Sequence, residues 1–230
     1  MQIFIDTANP EEISEANSWG VVDGVTTNPK IMLAERGCNF RERIERIVRL
    51  VDGPVHVEVT TNDWQEMVDQ ARELASWHRN IVIKVPMNIP GLKAVNQLKR
   101  LGIRTNVTAI MSLNQTLLAA KSGADYVSLF FGRIGDLGYE PVDVIRDAAQ
   151  LLGDGQFNSK IIVGSIRQLA DVNRAVRAGA HIITVPYLFL KQMTVNPKTD
   201  ETIVEFMRNW QEFRRFEPAI ELDKEAERVG

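Results

Sequence analysis

This 230-residue chain has one cysteine, three histidines and no long apolar run, and each shortage excludes something. Cys38 alone cannot form an internal disulfide, so the chain reads as intracellular or at least disulfide-independent. A catalytic thiol would need a histidine partner, and "ERGCNF" offers none nearby. His56, His78 and His181 are too scattered for a zinc site, so no metal is expected. No run approaches the roughly 18 apolar residues of a membrane span. The start, "MQIFIDTANP", lacks the basic and apolar segments of a secretory leader, and the expected location is the cytoplasm. Charge of one sign is scarce too. The 27 basic and 30 acidic residues give a net charge of -3 with no basic stripe, which excludes a nucleic-acid surface. The glycines of "GRIGDLG" fit neither a dinucleotide fingerprint nor a phosphate loop.

What is present suits a folded domain: 44% of residues are hydrophobic and 25% charged, enough for a sizeable core. Short β-branched runs recur eight times, as "IFIDTA", "GVTTN", "VHVEVT", "IVIKVP", "RTNVTAI", "DYVSLFF", "KIIVGS" and "HIITVPY". Between them lie amphipathic segments such as "NFRERIERIVRLV", "DWQEMVDQARELASW" and "LADVNRAVRAG", several of which end at glycine. Alternating strand and helix implies a parallel sheet. Eight units at this length favour a closed (β/α)8 TIM barrel of the α/β class over an open doubly wound sheet. No composition shift marks a second domain, so residues 1–230 are expected to form a single barrel. A further amphipathic segment, 199–216, should be an extra C-terminal helix, placed to pack on the barrel or on a neighbouring subunit.

The lysine in "IVIKVP" raises a question, because burying an unpartnered ammonium is costly. An isolated lysine in such a run usually snorkels to solvent. Period-two alternation argues otherwise. In "VHVEVT" the valines share one face and His56, Glu58 and Thr60 the other, and the outer face of a barrel strand takes the apolar set. By the same parity Asp6, Lys84, Asn106 with Thr108, and Ser128 with Phe130 turn inward, towards the C-terminal ends of strands, where barrel enzymes carry their chemistry. An interior cannot hold Asp6, Glu58 and Lys84 unless they satisfy one another or a ligand. Desolvation favours the free base of an amine, and a free amine attacks carbonyl carbon to give a Schiff base. His56, one step below Glu58, reads as a hydrogen-bonded core residue, and Trp19, Trp64, Trp77 and Trp210 read as packing residues.

Four stretches, "GVTTNPKIM" at 24–32, "IVIKVPMNIPGLKA" at 81–94, "TNVTAI" at 105–110 and "GSIR" at 164–167, carry a resemblance. Together they resemble the class I transaldolases, and most closely the short single-domain branch that includes fructose-6-phosphate aldolase. The likeness runs from Met1 to about residue 215. It implies that Lys84 forms the Schiff base, that Asp6 handles the sugar hydroxyl proton during carbon–carbon cleavage, and that Glu58 with Thr108 orients the water used in imine formation and hydrolysis. It also implies that Asn28 and Asn106, with Ser128 beside them, hold the dihydroxyacetone fragment, and that Thr26 and Phe130 complete that part of the binding set. Arg133, Ser165 and Arg167 match phosphate-binding positions, and guanidinium forks suit phosphate. The activity implied is transfer of a dihydroxyacetone unit from fructose 6-phosphate or sedoheptulose 7-phosphate to erythrose 4-phosphate or glyceraldehyde 3-phosphate, in the pentose phosphate pathway. The iminium serves as electron sink, so no cofactor is implied. The resembling enzymes form pentameric rings that pair into decamers, which implies a homo-oligomer.

Fructose-6-phosphate aldolases carry glutamine where Glu58 stands and tyrosine where Phe130 stands, so this pair resembles the transaldolases. The alternatives are an aldolase that releases free dihydroxyacetone, a relative acting on another anionic sugar, and a silent barrel serving as a scaffold. An idle core would do better with apolar side chains than with Asp6, Glu58 and Lys84. Four positions depart from the family pattern. Lys30 replaces a small residue, Asn88 a threonine or serine, Leu129 a proline and Gly135 an aspartate; all flank the pocket and bear on donor and acceptor preference.

Overall fold

The computed structural model describes residues 1–216. Eight strands, β1 (Gln2–Asp6), β2 (Gly24–Thr26), β3 (Val55–Glu58), β4 (Ile81–Pro86), β5 (Thr105–Ile110), β6 (Tyr126–Phe130), β7 (Lys160–Gly164) and β8 (Ile182–Val185), pair in chain order. All pairs are parallel, and β8 returns to β1, so the sheet is a closed (β/α)8 barrel. The chain falls into two compact units, Met1–Met193, which contains the barrel, and a segment that begins at Thr194. Residues 217–230, part of the expected single domain, lie outside the described residues.

Helices α1 (Pro10–Ser18), α2 (Pro29–Ala34), α3 (Phe40–Leu50), α4 (Trp64–Trp77), α5 (Ile89–Arg100), α6 (Leu113–Ser122), α7 (Phe131–Asp136), α8 (Pro141–Asp154), α9 (Leu169–Arg177) and α10 (Tyr187–Gln192) follow the strands. Their starts are written locally. Asn9, Asn28, Asn39, Asp63, Asn88, Ser112 and Glu140 each accept a backbone N–H of the first helical turn, and proline opens α1, α2 and α8. The outward strand residues, including Ile5, Val25, Val57, Ile83, Val85, Val107 and Val127, are buried under helix residues such as Ile44, Met67, Leu98 and Ile145. Gly91, in the first turn of α5, has no room for a side chain, because a Cβ there would lie 2.0 Å from the carbonyl oxygen of Pro86. The helix is thereby set hard against the end of the strand that carries Lys84.

The second unit contains one described helix, α11 (Pro197–Phe216), which contains the expected 199–216 segment. Ile203, Phe206, Met207, Trp210 and Phe213 recur at helical spacing along it, and Trp210 stacks on Phe213 at 5.3 Å. Among the described residues, no helix is long and apolar enough to cross a membrane.

Candidate active site

Register brings Glu58, Lys84 and Asn106 into one layer. Glu58 of β3 is the ladder partner of Lys84 of β4, and Lys84 is that of Asn106 of β5. Lys84 is only 5% exposed. Its Nζ donates to the carbonyl oxygen of Thr27 at 2.7 Å and lies 3.4 Å from Glu58 Oε2. The amine is therefore held by one neutral acceptor and one carboxylate inside the barrel, not extended to water. Thr108, two residues beyond Asn106, is buried with its Oγ1 lacking a hydrogen-bond partner among the described residues. At the following residue, Ala109, the backbone takes φ 60°, and the β5–β6 register shifts across this bulge.

The "TTN" run after β2 divides three tasks. Thr26 donates to Asp6 Oδ1 at 2.6 Å. Its single proton is thus committed, so the hydroxyl of Thr184 must be the donor in the contact between the two threonines. Thr27 donates both its N–H and its hydroxyl to the carbonyl of His56, which fixes the oxygen that receives Lys84. Asn28 caps α2 through Oδ1, leaving its amide N–H groups for the cavity it lines.

Desolvation pushes the Asp6 carboxyl above its ordinary value of 3.8, and the positive charge of Lys84 and the Thr26 hydroxyl pull partly back. If Asp6 acts as a base it must be ionised, so kcat/KM should fall as pH drops through a value above that of a free aspartate. Removing the Thr26 hydroxyl removes one stabiliser of the carboxylate. A Thr26→Val protein should therefore show its acid limb at higher pH than the wild type in a pH profile of kcat/KM; an unmoved limb would detach Asp6 from the rate.

One cavity of about 170 Å³ is lined by Asp6, Thr26, Asn28, Lys84, Ser128, Phe130, Arg133 and Ser165, all marked by the sequence, together with Lys30, Gly164 and Thr184. Glu58, Asn106 and Thr108 do not line it. Glu58 reaches Lys84 from the side and borders a separate, mainly apolar cavity with Phe40, Met32 and Leu33. Ser165 holds φ 58°, a left-handed backbone that L residues adopt at a cost of order 1–3 kcal/mol, commonly at binding sites.

Arg167 differs from the reading of the sequence. It too lies outside the lining set, because Asp136 takes both of its terminal nitrogens in a bidentate pair at 2.6 and 2.5 Å. Its side chain is laid along Gly132, where a Cβ would sit 2.5 Å from Nε. Arg133 has no ion pair among the described residues; its guanidinium covers the Phe130 ring at 5.1 Å. The cation that joins Arg133 at the cavity wall is Lys30, which the sequence marked only as a departure. Thr184 was legible from the parity of "HIITVPY", in which it turns inward with Ile182. Two other departures are explained locally. Asn88 caps α5 by accepting from Gly91 N at 2.7 Å, a task that threonine or serine also performs, and Leu129 is fully buried in the core shared with the helices.

The architecture is a parallel eight-stranded barrel with a buried amine and two carboxylates where its strands end. The model of the family described as Transaldolase/Fructose-6-phosphate aldolase matches residues 3–229, and the chain belongs to that family. A "Probable transaldolase" of Moorella thermoacetica is 48% identical over 214 residues, covering 93% of this chain and 99% of that protein. Another, of Thermoanaerobacter sp. (strain X514), is 47% identical over 210 residues, covering 91% and 97%. A third, of Desulforudis audaxviator, is 45% identical over 215 residues, covering 94% and 100%. The chain is an enzyme of the aldolase and transaldolase kind.

Proposed function

We propose that the protein is a class I transaldolase that moves a dihydroxyacetone unit between sugar phosphates through an imine on Lys84. The observation that carries this is the buried Nζ, held by Glu58 and the Thr27 carbonyl on the same cavity as Asp6. The free amine attacks C2 of the ketose, and the carbinolamine loses water to give an iminium. Glu58 and the unpartnered Thr108 hydroxyl are the groups suited to hold and protonate that water. Asp6 then takes the C4 hydroxyl proton as the C3–C4 bond breaks. The bonding pair moves into the iminium to form an enamine, and the aldose phosphate leaves. The acceptor aldehyde is attacked by the enamine, Asp6 returns the proton, and hydrolysis frees the product.

Asn28 and Ser128 supply polar contacts for the three-carbon unit, and Phe130 supplies an apolar wall. Arg133 and Ser165 are the phosphate contacts proposed, with Lys30 as a second cation and Arg167 acting behind them through Asp136. Transfer is favoured over release by Glu58 and Phe130 standing where the aldolases have glutamine and tyrosine, and by relatives named as probable transaldolases. The same reading places the enzyme in the pentose phosphate pathway and in the cytoplasm, and makes it a homo-oligomer, for which the apolar stripe of α11 offers a contact surface.

The test compares fructose 6-phosphate plus erythrose 4-phosphate with fructose 6-phosphate alone. Sedoheptulose 7-phosphate should form at least about tenfold faster than free dihydroxyacetone is released, a margin of roughly 1.4 kcal/mol. Acceptor-free release at a comparable rate would make the enzyme an aldolase. In that event Glu58→Gln should leave turnover intact, whereas a transaldolase should lose it.

A further inference from the structure

Behind Lys84 runs a buried polar line whose ordering the chemistry above leaves open. Ser128 Oγ donates to Asn106 Oδ1 at 2.8 Å, and Asn106 Nδ2 lies 3.0 Å from His56 Nδ1. His56 and Asn106 are fully buried and Ser128 is 5% exposed, with its residue on the cavity wall. The line thus starts in the core and ends at the cavity wall.

Its polarity follows from donor and acceptor inventory. With Asn106 Oδ1 receiving Ser128, the amide end that faces His56 is a donor, so His56 Nδ1 has to be a bare acceptor and the ring proton has to sit on Nε2. A doubly protonated ring would set N–H against N–H. Burial, helped by the positive charges of Lys84 and Arg104, holds His56 well below the ordinary histidine value and keeps the ring neutral. Nε2 has no hydrogen-bond partner among the described residues, and the ring is enclosed by Phe4 at 5.4 Å and Tyr126 at 4.9 Å. An unpartnered polar atom of this kind costs stability that an apolar side chain would not.

The opposite tautomer would reverse everything. With a proton on Nδ1, the Asn106 amide would have to turn over, its Nδ2 would donate to Ser128, and the serine proton would be free to point at the substrate. In the arrangement found, that proton is committed inward, and Ser128 can offer the cavity only lone pairs.

We propose that His56 is a positioning residue which, through Asn106, fixes Ser128 as an obligate acceptor for a hydroxyl of the polyhydroxylated substrate. The proposal rests on the reading of Lys84 as the imine-forming residue. Leucine and asparagine are alike in size, but only asparagine returns an acceptor near the place of Nδ1. His56→Leu should lower kcat/KM for transfer from fructose 6-phosphate by about 10- to 100-fold, and His56→Asn should recover it to within about threefold. Combined with Ser128→Ala, His56→Leu should cause no further loss. Equal activities of the two His56 variants overturn the proposal, and so do losses that multiply in the double variant. Nitrogen NMR of the wild-type ring supplies a readout that needs no variant to fold: the Nε2–H tautomer is expected, and the Nδ1–H tautomer would overturn the assignment. Borohydride trapping of wild type with fructose 6-phosphate keeps the two readings apart. No adduct on Lys84 removes the imine reading itself, whereas an adduct with indifferent His56 variants removes only the role of His56.

Discussion

Lys84→Met abolishes turnover, by at least about 10⁴-fold, because among the described residues Lys84 carries the one buried amine that lines the cavity. Lys30 lines the wall, but it is an exposed residue in the first turn of α2, whereas Lys84 is held inside the barrel. The measurement is mass spectrometry after borohydride reduction in the presence of fructose 6-phosphate. The wild type carries a three-carbon adduct on the peptide containing Lys84, and the methionine protein carries none. Lys84→Arg separates charge from nucleophile. It keeps a cation beside Glu58, 3.4 Å from the present amine, yet has no group able to form an imine, and it should be as inactive as the methionine protein. Activity surviving either change would end the imine mechanism.

Asp6→Asn acts later in the cycle and should separate the two halves of the reaction. The amide keeps the oxygen that accepts from Thr26 but cannot take the C4 hydroxyl proton, so transfer should fall by about 10²- to 10⁴-fold. Imine formation is proposed to use Lys84, Glu58 and Thr108 and not Asp6, so borohydride should still attach sugar to the protein, now as the uncleaved ketose. Stability should move the other way. Desolvation raises the Asp6 carboxyl in the folded state above its unfolded value, so its contribution to stability is present below the unfolded pKa and lost as pH rises through the folded one. At neutral pH the ionised side chain therefore works against folding, and Asp6→Asn should raise Tm there, with the gain vanishing in acid below the unfolded value. A variant that is both inactive and less stable at neutral pH would show that Asp6 serves as counter-ion to Lys84 more than as a base.

Much of this molecule was legible because barrel strands are read by parity. "VHVEVT" places Glu58 with His56 on the inner face from alternation alone, the same count turns Asp6, Lys84 and Asn106 inward, and the ladder partners set Glu58, Lys84 and Asn106 in one layer. The helices α3, α4 and α9 announced themselves by amphipathic period. The short helices α2, α7 and α10, of six residues each, did not, since two turns carry too few apolar positions to define a face. Nor could the sequence say that Asp136 would claim Arg167, because that pair joins α7 to the loop after β7 and depends on how two connections meet in space. Hydrogen-bond direction was equally hidden. That Asn106 gives to His56 and takes from Ser128 is a property of three side chains on three strands, and no spacing encodes it.

The first strand joins the last, and Asp6 ends it, tied by Thr26 to Thr184 of the final strand. The circle is thus fastened at the residue proposed to break the sugar. Heating that merely parts this suture would silence the enzyme while most of its helices still stood, so catalysis should be an earlier thermometer than circular dichroism.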